Sequence, residues 1–455
     1  MPHTIAQEEK RPSSFDAQHP PELKYIDDCV HCGFCLPACP TYVLWGEEMD
    51  SPRGRIYMIK KAAQGQAPHD GRFRQHMDNC LGCMACMTAC PSGVQYNKLI
   101  EPTRAQIERN LPRSLGESLF RRLIFATFPH PGRLRLLALP LLVYQKSGLR
   151  RLACATGMHK LLPKRLAAME ALLPDVPRHL FDRLPSTIRP QTVRHRVGML
   201  SGCVQQVFFS HVNAATARVL AAEGCEVIIP REQPCCGALM LHSGMEDDAA
   251  ALAKRMIAVF EAAEVDTIVI NSAGCGSTMK QYGDLLSADS AWAARATAFS
   301  AKCKDISEIL CELEPRVKRH PLKMRIAYHD ACHLQHAQGV HEQPRRLLAG
   351  IPELEVAEIP EASLCCGSAG IYNLLQPETA SQLGSRKVEN LLSTGAQAVL
   401  SANPGCLLQL MNGLRQRGLK AMPAFHMVEL LDASIRGISA EELLRGDKAP
   451  RIEAN

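Results

Sequence analysis

Two twelve-residue stretches, CVHCGFCLPACP from Cys29 to Pro40 and CLGCMACMTACP from Cys80 to Pro91, carry the same spacing, C-x2-C-x2-C-x3-C-P. This is the run that wraps a [4Fe–4S] cube: three closely spaced thiolates hold one cluster and the fourth reaches the other. A tetrahedral zinc ion needs four ligands and has no use for a third closely spaced cysteine followed by Cys-Pro. The expected ligand sets are therefore Cys29, Cys32, Cys35 and Cys90 for one cluster, and Cys80, Cys83, Cys86 and Cys39 for the second.

The C-terminal half is duplicated. Cys203 matches Cys332, Cys235-Cys236 of the first C-C-G matches Cys365-Cys366 of the second, and Cys275 matches Cys406, at offsets of 129 to 131 residues. Around them a strand, helix, strand, C-C-G, helix, strand order recurs, from Val197 in one copy and Met324 in the other. Each cysteine follows a strand or sits in the loop beyond one, which places every quartet near the carboxyl ends of a small parallel sheet, where open α/β sheets bind ligands. Four thiols from three loops suit a further iron–sulfur cluster or zinc at one or both sites. Buried, inert thiols are the alternative. Cys154, Cys225, Cys303 and Cys311 have no counterpart in the repeat and read as ordinary core cysteines.

Twenty cysteines without an apolar secretory leader point to a reducing, cytosolic setting in which clustered thiols bind metal. The apolar run Leu136–Gln145 is far shorter than the ~20 residues that span a bilayer and contains Pro140. The expected organisation is α+β and multidomain. It comprises a disordered or extended arm (1–24), a mainly helical two-cluster ferredoxin domain (25–103), a basic helical connector (104–195), two C-C-G units with small parallel sheets (196–322 and 323–440) and a tail (441–455).

The connector is unusual in charge. Residues 104–196 hold 18 Lys and Arg against 5 Asp and Glu, a balance of +13 in a chain of net charge +6, so the remainder is −7. Arg121, Arg122, Arg150 and Arg151 alternate with Leu and Phe, which fits a helix face on anionic lipid, a face that docks a partner, or a solvated surface. Prolines 112, 129, 131, 140, 163, 174 and 177 predict short helices broken by turns. Histidines crowd the second C-C-G unit, His329 and His333 flanking Cys332; metal ligation, proton transfer, contact with a quinone and plain capping are all open to them.

No G-x-G-x-x-G follows a strand and no G-x4-G-K-[ST] occurs, so a flavin or nicotinamide is expected on another chain, and nothing points to nucleic acid. No catalytic residue is assigned.

The stretches CVHCGFCLPACPTY, PRGRIYMIK, CLGCMACMTACPSGVQY, SGCVQQVFF, NSAGCGSTMKQYG and AYHDACHLQHAQG resemble the iron–sulfur subunits of bacterial glycolate oxidase, through most of residues 25–435. The long interval between the two cysteine runs, containing RIYMIKKAAQ, resembles the helical ferredoxin domain of respiratory iron–sulfur subunits. The resemblance implies a flavin-bearing 2-hydroxy-acid oxidase partner that converts glycolate to glyoxylate. It also implies electron relay to a membrane acceptor such as quinone, with peripheral contact at the inner face of the bacterial inner membrane. Heterodisulfide reductases, lactate-utilisation proteins and a subunit of anaerobic glycerol-3-phosphate dehydrogenase share the C-C-G unit. Their activities are the alternatives, either a thiol or disulfide reductase at the C-C-G sites or the relay subunit of a lactate or glycerol-3-phosphate dehydrogenase. In heterodisulfide reductases the unit ends in C-x-x-C; here Cys275 is followed by Gly-Ser-Thr278 and Cys406 by Leu-Leu-Gln409, so the fifth thiol is missing from both copies.

Overall fold

The computed structural model describes residues 12–157, 162–177, 180–419 and 422–445. The chain divides into two compact units: one is the chain up to Leu115 together with Leu241–Met245, the other Gly116–Met240 with everything from Glu246 onward.

The first unit is helical. Ser51 starts its central helix, Pro52–Ala63, by accepting the Gly54 N–H at 3.0 Å, with Pro52 at the first helical position, where a missing N–H costs nothing. Asp70 caps Gly71–Asp78 through the Arg72 and Phe73 N–H groups. Of the arm expected over 1–24, residues 12–24 are described and lie packed on the unit. Phe15 is buried edge-on against His69 and Phe73, and Asp16 accepts from Gln106, Arg109 and Asn110. The last helix of the unit, Asn97–Asn110, runs across the boundary expected at residue 103.

The connector forms the helices Leu115–Thr127, Pro131–Lys146, Leu149–Ala155 and Lys164–Ala171. Pro140, expected to break a helix, instead lies within one. It removes the bond to the Leu136 carbonyl, and Leu136 is exposed, so water can take that acceptor. Among the described residues, no helix is long and apolar enough to cross a membrane. Leu119, Leu123, Leu137 and Val143 are exposed on these helices, whereas Arg121 is buried with its guanidinium over the Phe125 ring and Arg150 pairs with Glu170 at 2.9 Å.

Two sheets follow. The first contains β1 (Thr187–Ile188), β2 (His195–Met199), β3 (Cys225–Ile228), β4 (Thr267–Ile270) and β5 (Cys303–Asp305), in the order β1-β3-β2-β4-β5. Only β1 runs antiparallel, against β3. The second contains β6 (Met324–His329), β7 (Leu354–Glu358), β8 (Ala398–Ser401) and β9 (Ala424–Phe425), all parallel, in the order β7-β6-β8-β9. Stripped of β1, the two orders are identical, so the repeat read from cysteine offsets is a repeat of topology. The central strands are short β-branched or aliphatic runs covered on both faces, as parallel sheets require.

Both halves belong to the same compact unit and share one core, in which Met199, Val227 and Val269 of the first sheet join Ile326, Tyr328 and Leu400 of the second. The closing helix Met427–Arg436 packs on Ser210–Ala222, and Arg218 grips Asp432 with two bonds of 2.9 and 2.7 Å. Each half also ends its sheet in a capping box. Asp305 with Glu308 opens the helix Ile306–Glu312 after β5, and His426 with Glu429 opens Met427–Arg436 after β9.

Candidate metal centres

In the helical unit Cys29, Cys32, Cys35 and Cys90 line one cleft, which Cys86 also borders. Burial raises the Cys29 thiol above its ordinary value, and the nearby Cys90 and Cys32 raise it further; Cys35 is pushed up to about 11, mainly by burial, with Cys29 and Cys39 among its neighbours. Cys86 is raised by burial and then by Cys83, Cys80 and Cys39. Cys90 thus lies with the first three cysteines of the other run, and Cys39 is near both Cys86 and Cys35.

The surroundings of the two groups differ. Cys29, Cys35 and Cys90 are half-buried and Cys32 is exposed, whereas Cys39, Cys80 and Cys83 are buried and Cys86 alone of the second group is half-buried. Arg55 is buried beside Cys39 and Cys80, held by Asp50 Oδ1 at 3.0 Å, by Thr41 Oγ1 and by the His76 carbonyl at 2.7 Å. Burial opposes ionisation of Cys80, but the Arg55 and Arg104 guanidinium groups, the Gly82 N–H and the Tyr96 hydroxyl outweigh it and hold the thiol below its ordinary value. A thiolate supported by cations and donors is the form that binds metal.

The first C-C-G quartet gathers at the carboxyl ends of β2, β3 and β4. Cys235 Sγ lies 3.5 Å from Cys203 Sγ, and Cys236 contacts both Cys235 and Cys275. The glycine of the motif has a geometric duty: Gly237 at φ +79° and Gly367 at φ +89° turn the chain sharply after the paired cysteines, and a Cβ on Gly367 would meet the Ala380 carbonyl oxygen at 2.6 Å. Tyr282, fully buried, donates to the Cys236 carbonyl at 2.8 Å and stacks on Phe299.

The second quartet repeats this arrangement and adds nitrogen. Cys332 contacts Cys365, and Cys366 contacts Cys365, Cys406 and His329. The potential ligand atoms of His329, Cys366 and Cys406 lie within 4.8 Å of one another, and all three residues are buried. Among the described residues no oxygen or nitrogen partners either ring nitrogen of His329, whose ring lies against Cys366, an arrangement that leaves it open to a metal. His333 Nδ1 stands 3.5 Å from Cys332 Sγ, and Asn403 donates to Cys406 Sγ at 3.4 Å. The Ala273 N–H, at the end of β4, donates to the Ala402 carbonyl beyond β8, and Cys366 and Cys406 share a small core with Ala273. The turns from β4 and β8 into the helices that carry Cys275 (Ala273–Lys280) and Cys406 (Pro404–Gln416), not loops as the spacing suggests, therefore meet.

Models of three known families cover the chain in order. A 4Fe-4S dicluster domain matches residues 25–94, the linker region of the glycolate oxidase iron–sulfur subunit matches 116–173, and a cysteine-rich domain matches twice, at 197–280 and 326–411. A probable glycolate oxidase iron–sulfur subunit of Bacillus subtilis is 41% identical over 414 residues, 89% of this chain and 93% of that one. The chain belongs to the glycolate oxidase iron–sulfur subunit family. The glycolate oxidase iron–sulfur subunit of Escherichia coli is 35% identical, across 84% of this chain and 89% of its own. A subunit of the CoM/CoB fumarate reductase of Methanothermobacter marburgensis is 27% identical, across 90% of this chain and 73% of its own.

As a member of this family the chain is an iron–sulfur, electron-transfer component of an oxidoreductase, with two [4Fe–4S] clusters in its dicluster domain. The side chain of Cys154 lies outside what the structure describes; Cys225, Cys303 and Cys311 fall outside the four thiol groups. Cys303 bonds the Phe299 carbonyl, burial raises Cys225 to about 11, and Cys311 bonds the Gln343 carbonyl. Arg55 and Tyr282 carry no signal of their role in the sequence. Arg55 sits within the quoted PRGRIYMIK, but an arginine on a helix reads as surface until its burial is seen.

Proposed function

We propose that this chain accepts electrons from a flavin-bearing partner that oxidises glycolate to glyoxylate and delivers them to a membrane acceptor of the quinone type. The closeness of the two cysteine runs supports the relay: Cys90 of the second borders the cleft of Cys29, Cys32 and Cys35, and Cys39 of the first lies near Cys86, so two adjacent centres fit into one small helical unit. Cys29, Cys32, Cys35 and Cys90 would hold one [4Fe–4S] cluster and Cys80, Cys83, Cys86 and Cys39 the other. Bound there, such clusters supply one-electron steps, which a two-electron oxidation at flavin needs before transfer to a separate acceptor.

This chain's own residues supply the setting. Arg55 and Arg104 offset the charge of the buried thiolates, Tyr96 and the Gly82 N–H donate to Cys80, and the half-buried first group leaves a face open to a partner. Cys203, Cys235, Cys236 and Cys275, and Cys332, Cys365, Cys366 and Cys406 with His329, would hold two further metal centres, because soft thiolates converge there without forming disulfides. The exposed leucines of the connector support contact with a membrane surface or with the flavin partner.

Cys86→Ser in the intact complex, purified without oxygen, is the test. Glycolate should still bleach the flavin, one cluster's magnetic signal should vanish, and reduction of a quinone analogue should stop. Quinone reduction at the unaltered rate would refute the relay.

A further inference from the structure

A cavity of about 1270 Å³ opens beside the first C-C-G quartet, with Cys235 in its wall. Its lining is strongly cationic: five arginines and one lysine stand against three carboxylates, Asp175, Asp182 and Glu232. Arg218 is answered from outside the lining by Asp432 at 2.7 Å, whereas Asp175, one of the three carboxylates, is itself engaged from outside by Arg415 at 3.6 Å.

Arg135 is the decisive group. It is 5% exposed, and it projects from the connector helix Pro131–Lys146. Its Nε donates to the Leu180 carbonyl at 3.2 Å and its Nη2 to Gln206 Oε1 at 3.0 Å, both neutral acceptors, and no carboxylate pairs with it among the described residues. Gln206 is itself fixed, its Nε2 donating to the Gly202 carbonyl at 2.7 Å. The neighbouring charge is a like one: Arg135 is held below the usual arginine range first by burial and then by Arg183. Buried charges are ordinarily paired, and a buried guanidinium that faces a cavity beside a second one lacks its counter-charge.

We propose that this cavity binds an organic anion, a carboxylate- or phosphate-bearing molecule whose acidic group is held by Arg135 and Arg183 and whose remainder extends toward the Cys235 wall. The planar forks of the two arginines suit bidentate recognition of either oxyanion. The volume exceeds the ~300–1,000 Å³ common for small-molecule sites and leaves room for an organic remainder beyond the acidic group. Arg135, within the family's linker region, gives that linker a role in building the site. A ligand there would lie against the first thiol quartet. This inference does not depend on the identity of the substrate oxidised by the partner.

Calorimetric titration of the full-length protein with pyrophosphate and, separately, with succinate tests the site. At least one probe should bind saturably at one site per chain. R135Q and R183Q should each weaken that binding about tenfold or more, as loss of charge-assisted hydrogen bonds does. R295Q, at an exposed arginine paired with Glu261, should leave it unchanged. Saturable binding of pyrophosphate alone would identify a phosphate-bearing ligand, and binding of succinate a carboxylate. Failure of both probes would overturn the proposal, as would R183Q binding like the wild type or R295Q weakening binding equally. Arg183 is exposed, so R183Q keeps the test valid if R135Q does not fold.

Discussion

The two C-C-G halves have the same strand order, the same thiol quartet and the same left-handed glycine, but different surroundings for the sulfurs. Leu200 in the first half stands where His329 stands in the second; Ile257 corresponds to Lys387, Tyr282 to Gly413, and the cap Asp305 to the cap His426. Lys387 is buried, and its ammonium donates to the Glu361 and Ala362 carbonyls near Cys365 and Cys366. The first quartet is thus set mainly among apolar side chains and opens on a cationic cavity, while the second is enclosed by an imidazole and a lysine. Duplication has kept the ligand frame and changed what tunes it.

The largest test of that division removes the frame itself. Cys365→Ser with Cys366→Ser should empty the second centre, and Cys235→Ser with Cys236→Ser the first, each with a loss of several kcal/mol of stability because metal binding is coupled to folding. Cys303→Ser should change neither metal content nor melting by a comparable amount. Metal analysis and thermal melts of the anaerobically purified full chain read both quantities. If either double substitution empties both centres together, the halves act as one cooperative site through their meeting turns, and the comparison breaks.

The caps separate the halves by pH. Asp305 is buried and its carboxyl is raised by burial from 3.8 to about 6, so the folded state favours the neutral acid. Its contribution is complete below 3.8 and is lost as pH rises through 6. His426 is buried and lowered by burial from 6.5 to about 4, so the folded state favours the neutral ring. Its contribution is complete above 6.5 and is lost as pH falls through 4. Each shift corresponds to about 3 kcal/mol at full development. D305N should therefore flatten the decline in stability between pH 4 and 6, and H426N the decline on acidification from 6.5. Denaturation curves at half-unit pH steps would show whether the two effects have these opposite signs.

His329 carries the next effect. H329L, which gives the second half the residue found in the first, should weaken metal retention by the second centre by at least about 10- to 100-fold, the range for losing a residue that only supports a metal's ligands. The first centre should be untouched. Chelator competition followed centre by centre measures it, and equal retention in H329L and wild type would reduce the histidine to a packing residue.

Much of this molecule is legible in residue spacing. The two cysteine runs disclose the dicluster unit, and matched offsets disclose the doubled α/β topology, because ligand geometry and strand-to-loop order leave a direct mark on spacing. The edge strands β1, β5 and β9, two or three residues long, leave no periodic signal. Nor does the sequence show that the two halves share one core, since Met199 and Ile326 look alike whether they face separate cores or a common one. The basic connector misleads most: Arg121, which its leucine-rich neighbours group with lipid-facing residues, is buried, and Arg135 lines a cavity. Burial of an arginine is a tertiary fact, and composition averages over it.

The smallest contrast is Tyr282 against Gly413. In the first half the tyrosine hydroxyl satisfies the Cys236 carbonyl, and the ring lies 5.4 Å from that of Phe299 at an interplanar angle of 20°. In the second half the glycine lets the helix Pro404–Gln416 approach Val388, whose Cγ2 would stand 2.7 Å from an added Cβ. Tyr282→Phe keeps the stack and deletes one donor, leaving a buried carbonyl unpaired at a cost of about 1–3 kcal/mol. The thiol positions depend on the backbone turn at Gly237 rather than on that bond, so metal content should remain at the wild-type level while the denaturation midpoint falls. Loss of metal from the first centre in this variant would instead make the hydroxyl part of what holds the cysteine pair in place, a support the second half must then obtain from His329 and Lys387.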